Sequence, residues 1–112
     1  MAKRILVSDL KGGESATLFE GRDHGSTVSC FLIHNSPGEG PGLHRHPYEE
    51  TFIVQEGSAT FTVEGETIEA GAGHIVIVPA RAAHGFVNSG DGILRQVTIH
   101  PSDHVIQEWL EE

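Results

Sequence analysis

Short runs rich in Val, Ile, Thr and Phe recur along the chain, bounded by glycine- and proline-bearing turns, and within several of them apolar and polar side chains alternate. A period of two is the pattern of half-buried strands, and β-branched and aromatic residues suit a pleated surface. The pattern predicts strands over Ser26–His34, Leu43–His46, Glu50–Glu56, Ser58–Val63, Glu66–Glu69, His74–Val78, His84–Asn88 and Ile93–His100. Glu64-Gly65 lies between two alternating segments and predicts a tight hairpin turn with Gly65 at positive φ. Glu56-Gly57 and Ser89-Gly90-Asp91-Gly92 mark two further reversals. Short strands at regular spacing predict an all-β sandwich or barrel. One short helix is expected at Ser102–Glu111, where Ser102 can cap and Val105, Ile106, Trp109 and Leu110 form an apolar stripe at helical spacing.

Composition narrows the setting. A chain of 112 residues buries one core, so 1–112 is expected to be a single domain. Hydrophobic residues make up 38% and charged residues 21%, an ordinary globular balance that argues against disorder. Asp and Glu number 16 against 7 Lys and Arg, a formal net charge of −9. A surface that acidic repels phosphate backbones and anionic lipid, so neither nucleic acid nor a membrane is expected as a partner. Met1–Leu10 lacks the apolar core of about 7–15 residues that marks a signal peptide. No apolar run reaches the ~18 residues of a membrane helix. The lone Cys30 fits a reducing compartment, and a cytoplasmic location is the expectation.

The unusual number is His 8, because histidine is the commonest metal ligand. His44 and His46 alternate with Leu43 and Arg45, so on a strand both imidazoles point to one face as a chelate. Glu50 begins the next strand, where its carboxylate can join them. Further on, an apolar run ends at Pro79, a short turn follows, and His84 opens a strand with Phe86 and Asn88 on its own face.

These residues resemble the cupin family. Its first motif is a glycine, five residues, His-x-His, three or four residues, Glu, six residues and a glycine; Gly38, His44, His46, Glu50 and Gly57 match it. Its second is a glycine, five residues, Pro-x-Gly, two residues, His, three residues and Asn; Gly73, Pro79, His84 and Asn88 match. Arg81 stands where the second glycine is usual, which leaves the ligand spacing intact, questions the turn geometry and puts a cation near the barrel mouth. The motifs span 38–57 and 73–88. The resemblance implies a jelly-roll barrel enclosing one divalent transition metal ion held by His44, His46, Glu50 and His84. Three imidazoles and a carboxylate suit Fe, Mn, Ni, Co, Cu or Zn, and an octahedral ion would keep two positions open for water, dioxygen or substrate.

Parity extends the site to a pocket of Phe52, Val54, Phe86 and Asn88, with Asn88 better suited to a turn or strand end than to ligation. The last strand contributes either Arg95 and Val97 or Gln96 and Thr98, depending on register. Tyr48, His74 and Arg81 are candidate polar or catalytic contacts, whereas His24, His34, His100 and His104 lie outside the motifs and are expected at the surface or in packing. The family is rich in enzymes, which favours a metal-dependent dioxygenase or related oxidoreductase acting on a small oxygen-bearing molecule. A Lewis-acid isomerase, epimerase or lyase would need His74 or Tyr48 as base. A binding or sensor module is the remaining class, and resemblance implies a homodimer.

Overall fold

The computed structural model describes residues 2–110. In chain order the strands are β1 (Lys11–Gly12), β2 (Ala16–Glu20), β3 (Ser29–Asn35), β4 (His44–Arg45), β5 (Glu50–Glu56), β6 (Ser58–Val63), β7 (Glu66–Gly71), β8 (Ile75–Val78), β9 (His84–Asn88), β10 (Leu94–His100) and β11 (Glu108–Trp109). They form two sheets, ordered β1-β2-β3-β10-β5-β8 and β11-β4-β9-β6-β7, and the described pairs run antiparallel, as in β10 against β3 and β5. This is the all-β, two-sheet architecture that the strand pattern predicts, and it agrees with the jelly roll that the resemblance implies. The predicted strands recur with ends shifted by a few residues, and β1, β2 and β11 are additions.

Glu64 and Gly65 both adopt positive φ, 48° and 82°, which matches a type I′ turn whose twist suits the flanking strands. A Cβ on Gly57 would lie 2.4 Å from the Ile93 carbonyl oxygen, so this motif position needs glycine for space as well as for its φ of 87°. Alternation settles the register of β10: Leu94, Gln96, Thr98 and His100 are each buried to 2% exposure or less, and Arg95 is exposed. Between the sheets Phe52, Phe61 and Phe86 meet, with the Phe52 and Phe61 ring centroids 5.0 Å apart and nearly edge to face. Val54, Val78 and Leu94 complete the centre of the core.

The expected helix at the C-terminal end is absent from the described residues, and its last predicted residue, Glu111, lies outside them. Tertiary partners take the backbone groups that a helix would use internally. The Val105 amide donates to Glu20 Oε2 at 2.9 Å, the Ile106 amide to the Tyr48 hydroxyl at 3.1 Å and the Leu110 amide to the Leu43 carbonyl at 3.0 Å. Glu108 and Trp109 then pair with Arg45 and His44 as an edge strand. Ser102 still caps locally, its hydroxyl accepting from the His104 amide at 3.4 Å, but it starts a bend. Helical spacing was therefore present without a helix, because packing onto β4 outweighs a weak local propensity.

Arg81 keeps the turn that the missing motif glycine normally makes. It adopts φ 68°, a left-handed conformation that costs a residue with a Cβ about 1–2 kcal/mol, and its amide donates to the His46 carbonyl at 2.8 Å. Glycine would relieve that strain but lose more backbone freedom on folding. Arg81→Gly is thus expected to stabilise the fold by about 0.5–1 kcal/mol. A higher denaturant midpoint would bear this out; a lower one would show that the arginine side chain offsets its own strain.

Candidate metal centre

β4 supplies His44, and the residue after the strand is His46; His84 opens β9 directly opposite His44, and Glu50 opens β5 on the facing sheet. The fold thus draws four residues from three segments to one point. One ligand atom from each lies within 4.8 Å of the others. All four side chains are buried: His44 is 6% exposed, His46 2%, Glu50 3% and His84 1%.

The hydrogen bonds behind the rings decide what each ring offers at the front. His44 Nδ1 lies 2.8 Å from the Gly42 carbonyl oxygen, His46 Nδ1 2.8 Å from that of Ile106, and His84 Nδ1 2.9 Å from that of Ala82. A carbonyl only accepts, so in each neutral ring Nδ1 carries the proton and Nε2 presents a lone pair to the centre. Glu50 Oε1 sits 2.9 Å from His46 Nε2 and 3.0 Å from His84 Nε2. Buried acceptors facing one another repel unless a cation or a proton lies between them. His46 Nε2 correspondingly has no hydrogen-bond donor. Three imidazole nitrogens and one carboxylate oxygen, each ring fixed from behind by a carbonyl, fit a divalent transition metal ion.

Electrostatics point the same way. Burial alone would push the Glu50 carboxyl up, but the imidazoles of His100, His46 and His84 at its oxygens, which stabilise the anion whenever they present a proton to it, more than offset it and hold the group well below the usual carboxylate range. Burial lowers His44. It also acts to lower His46, yet the contacts with Glu50 and the Ile106 carbonyl outweigh it and leave this imidazole raised. A proton on His46 Nε2 takes the place a metal would take, so proton and metal compete and affinity weakens as pH falls.

A cavity of about 550 Å³ opens beside the cluster, with His44, Glu50, Phe52 and Phe86 in its wall. Val54 lies deeper in the core and Asn88 at the far end of β9, so neither joins Phe52 and Phe86 in the lining. The Asn88 amide donates to the Asn35 and Gly92 carbonyls at 3.0 and 2.8 Å, and its Oδ1 accepts from the Gly90 amide at 3.0 Å, which makes it a turn stabiliser. Of the candidate polar contacts, His74 is exposed in a turn with Nδ1 beside the Gly71 amide, and exposed Arg81 lines a separate depression behind His46. Tyr48 also stands outside the cavity wall, stacked on His46 with ring centroids 5.2 Å apart.

The sequence profile of the Cupin domain family matches residues 31–100. The chain belongs to the cupin family. This cupin is 34% identical over 97 residues to a Streptomyces cyaneus protein named polyketide synthase CurC, covering 85% of the chain and 63% of that relative. Among solved structures it is similar to a Bacillus subtilis oxalate decarboxylase (26% identity, TM-score 0.82), covering 93% of this chain and 31% of that one. Another structure of the Bacillus enzyme, described for its Mn(II) centres, has 25% identity, a TM-score of 0.81 and the same coverages. An oxalate decarboxylase of Lactobacillus farciminis in a formate complex has 24% identity and a TM-score of 0.79 over 92% of this chain and 34% of that one. The cupin therefore spans about a third of the oxalate decarboxylase chains and less than two thirds of the polyketide synthase relative.

One histidine beside the cluster lies outside both motifs. His100, expected at the surface or in packing, is 1% exposed, lines the cavity and places Nε2 3.0 Å from Glu50 Oε2. Its signal was the parity of the last strand: with Gln96 and Thr98 turned inward, His100 must follow.

Proposed function

We propose that this cupin is a metal-dependent enzyme acting on a small oxygen-bearing organic molecule, as a dioxygenase or related oxidoreductase. The observation that carries the proposal is the donor cluster in the wall of an accessible, mostly apolar cavity, where His44 and Glu50 stand beside Phe31, Ile33, Phe52 and Phe86. A bound divalent ion would supply Lewis acidity and, if redox-active, electron transfer to dioxygen. The chain supplies the surroundings. Phe52 and Phe86 make a dry wall for an aromatic or alicyclic body, and Trp109 from β11 adds to it. Asn35, 4% exposed and also in the lining, has an Oδ1 without a hydrogen-bond partner, which can accept from a ligand hydroxyl.

A Lewis-acid isomerase or lyase needs a free base in the cavity. Tyr48 and His74, the candidates for that role, do not line it, so this class would have to draw its base from Glu39 or His100, which do. The relative named as a polyketide synthase supports a polyketide-type substrate, and the oxalate decarboxylases support a carboxylate-bearing chelator and a divalent ion such as Mn(II). Ile75 and Ile77 on edge strand β8, each 63% exposed, support the homodimer implied by the resemblance.

Reconstitution with Fe(II), Mn(II), Ni(II), Co(II), Cu(II) or Zn(II), followed by oxygen-electrode screening of diketones, catechols and polyphenols, tests the proposal. Oxygen uptake with at least one ion, matched by loss of substrate, is expected. Turnover that proceeds equally well without oxygen would replace this proposal with the isomerase or lyase class, and silence with every ion would leave a binding module.

A further inference from the structure

Glu50 uses its two oxygens differently. Oε1 faces the Nε2 lone pairs of His46 and His84, whereas Oε2 faces His100 Nε2 at 3.0 Å. His100 is turned around relative to the three motif histidines, because its Nδ1 meets a side chain that can donate, the Tyr48 hydroxyl at 2.8 Å. The Tyr48 oxygen already accepts the Ile106 amide at 3.1 Å. A carboxylate oxygen only accepts, so the neutral ring carries its proton on Nε2, pointing at Glu50 Oε2, and its Nδ1 accepts the Tyr48 hydroxyl proton. An imidazole in that tautomer cannot ligate through Nε2. It can donate.

We propose that Tyr48 and His100 are positioning residues of this cupin: a relay from the Ile106 amide through the Tyr48 hydroxyl and the His100 ring occupies Glu50 Oε2 and presents only Oε1 to the metal. The inference rests on the proposed metal site and adds to it the coordination mode of its carboxylate. The relay is well anchored. His100 stands edge-on to Phe31 with ring centroids 5.6 Å apart, Tyr48 lies flat on His46, and the Ile106 residue whose amide begins the relay also holds His46 Nδ1 with its carbonyl. One short segment, leading into β11, thus orients a ligand ring directly and the ligand carboxylate through two side chains. A carboxylate with one oxygen tied down occupies a single coordination position, which leaves more of the ion open to substrate.

The test compares the unaltered protein with Tyr48→Phe, His100→Phe and His100→Gln, using Zn(II) as the probe. Calorimetry gives affinity, and infrared difference spectra between Zn(II)-loaded and metal-free protein give the separation of the carboxylate stretching bands, wide for one-oxygen and narrow for two-oxygen ligation. The wild type is expected to bind one ion with a wide separation. His100→Phe keeps an aromatic ring beside Phe31 but lacks the donor; it is expected to narrow the separation and weaken binding about 10–100-fold, the range for removing a partner behind a ligand. Tyr48→Phe, which removes only a hydroxyl, is expected to fall near the lower end of that range. His100→Gln, whose amide can donate to Oε2, is expected to restore the wide separation. Should the wild type bind Zn(II) while His100→Phe and Tyr48→Phe show its affinity and band separation, the relay is overturned and the metal site stands. Failure of the wild type to bind any Zn(II) overturns the metal site and the relay with it.

Discussion

Glu50→Gln is expected to abolish tight metal binding while leaving the metal-free protein at least as stable as the wild type. The affinity loss should exceed the ~100-fold upper end for changes behind a ligand, because this substitution removes the only anionic donor of the set. The stability expectation follows from the converging lone pairs. An amide at position 50 can donate its N–H groups towards His46 and His84 Nε2, now 2.9 and 3.0 Å from Glu50 Oε1, while its oxygen accepts from His100. A cluster of mutually repelling acceptors becomes a satisfied hydrogen-bond network. Metal analysis after purification, together with thermal unfolding of the metal-free forms, reads both halves. Retained stoichiometric metal would show that the carboxylate is not a ligand. A large loss of stability would show that the four residues are held together by something other than the pattern of donors and acceptors.

The second large effect lies in the core. Phe61 is fully buried and packs against both Phe52 and Phe86. Phe61→Ala should cost about 3–5 kcal/mol, the transfer term for the ring plus the cavity it leaves. Against a total stability on the order of 5–15 kcal/mol, this is a drop in melting temperature of about 15 °C or more for a domain this size. Because Phe52 and Phe86 also line the ligand cavity, metal-loaded protein should show the same loss on top of whatever stabilisation the metal contributes. A shift of only a few degrees would mean that the two sheets close over the gap and that the aromatic trio is not the centre of the fold.

The parts of the molecule legible in the sequence were those where local pattern and tertiary environment agree. β5, β6 and β9 carry alternating side chains with one face buried, and the turn at Glu64-Gly65 needs only its own two residues. The cluster of His44, His46, Glu50 and His84 was visible because the motif spacing encodes the meeting of β4, β5 and β9. Less legible were segments whose structure is decided by distant partners. The segment 102–110 has the spacing of a helix, and distant partners make it extended: Glu20, Tyr48 and Leu43 receive the Val105, Ile106 and Leu110 amides, and Glu108 and Trp109 pair with β4. Arg81 read as a threat to its turn, yet the turn survives because the His46 carbonyl holds its amide and the residue absorbs the strain. His100 was misplaced for a different reason. It sits beyond the second motif, and its role depends on the register of β10, which two equally regular alternations left open. Asn88 and Val54 show the limit of parity: each shares a face with cavity residues, but distance along the strand takes both out of the lining.

One position among four side chains decides the metal assignment, and anomalous diffraction from crystals of the Zn(II)-loaded protein, measured on both sides of the zinc edge, tests it most directly. The expected result is a single strong peak within bonding distance of Nε2 of His44, His46 and His84 and of Oε1 of Glu50, with the three Nδ1 atoms still on their backbone carbonyls. Ligation through Nδ1, a peak elsewhere on the chain, or no peak at saturating zinc would contradict it.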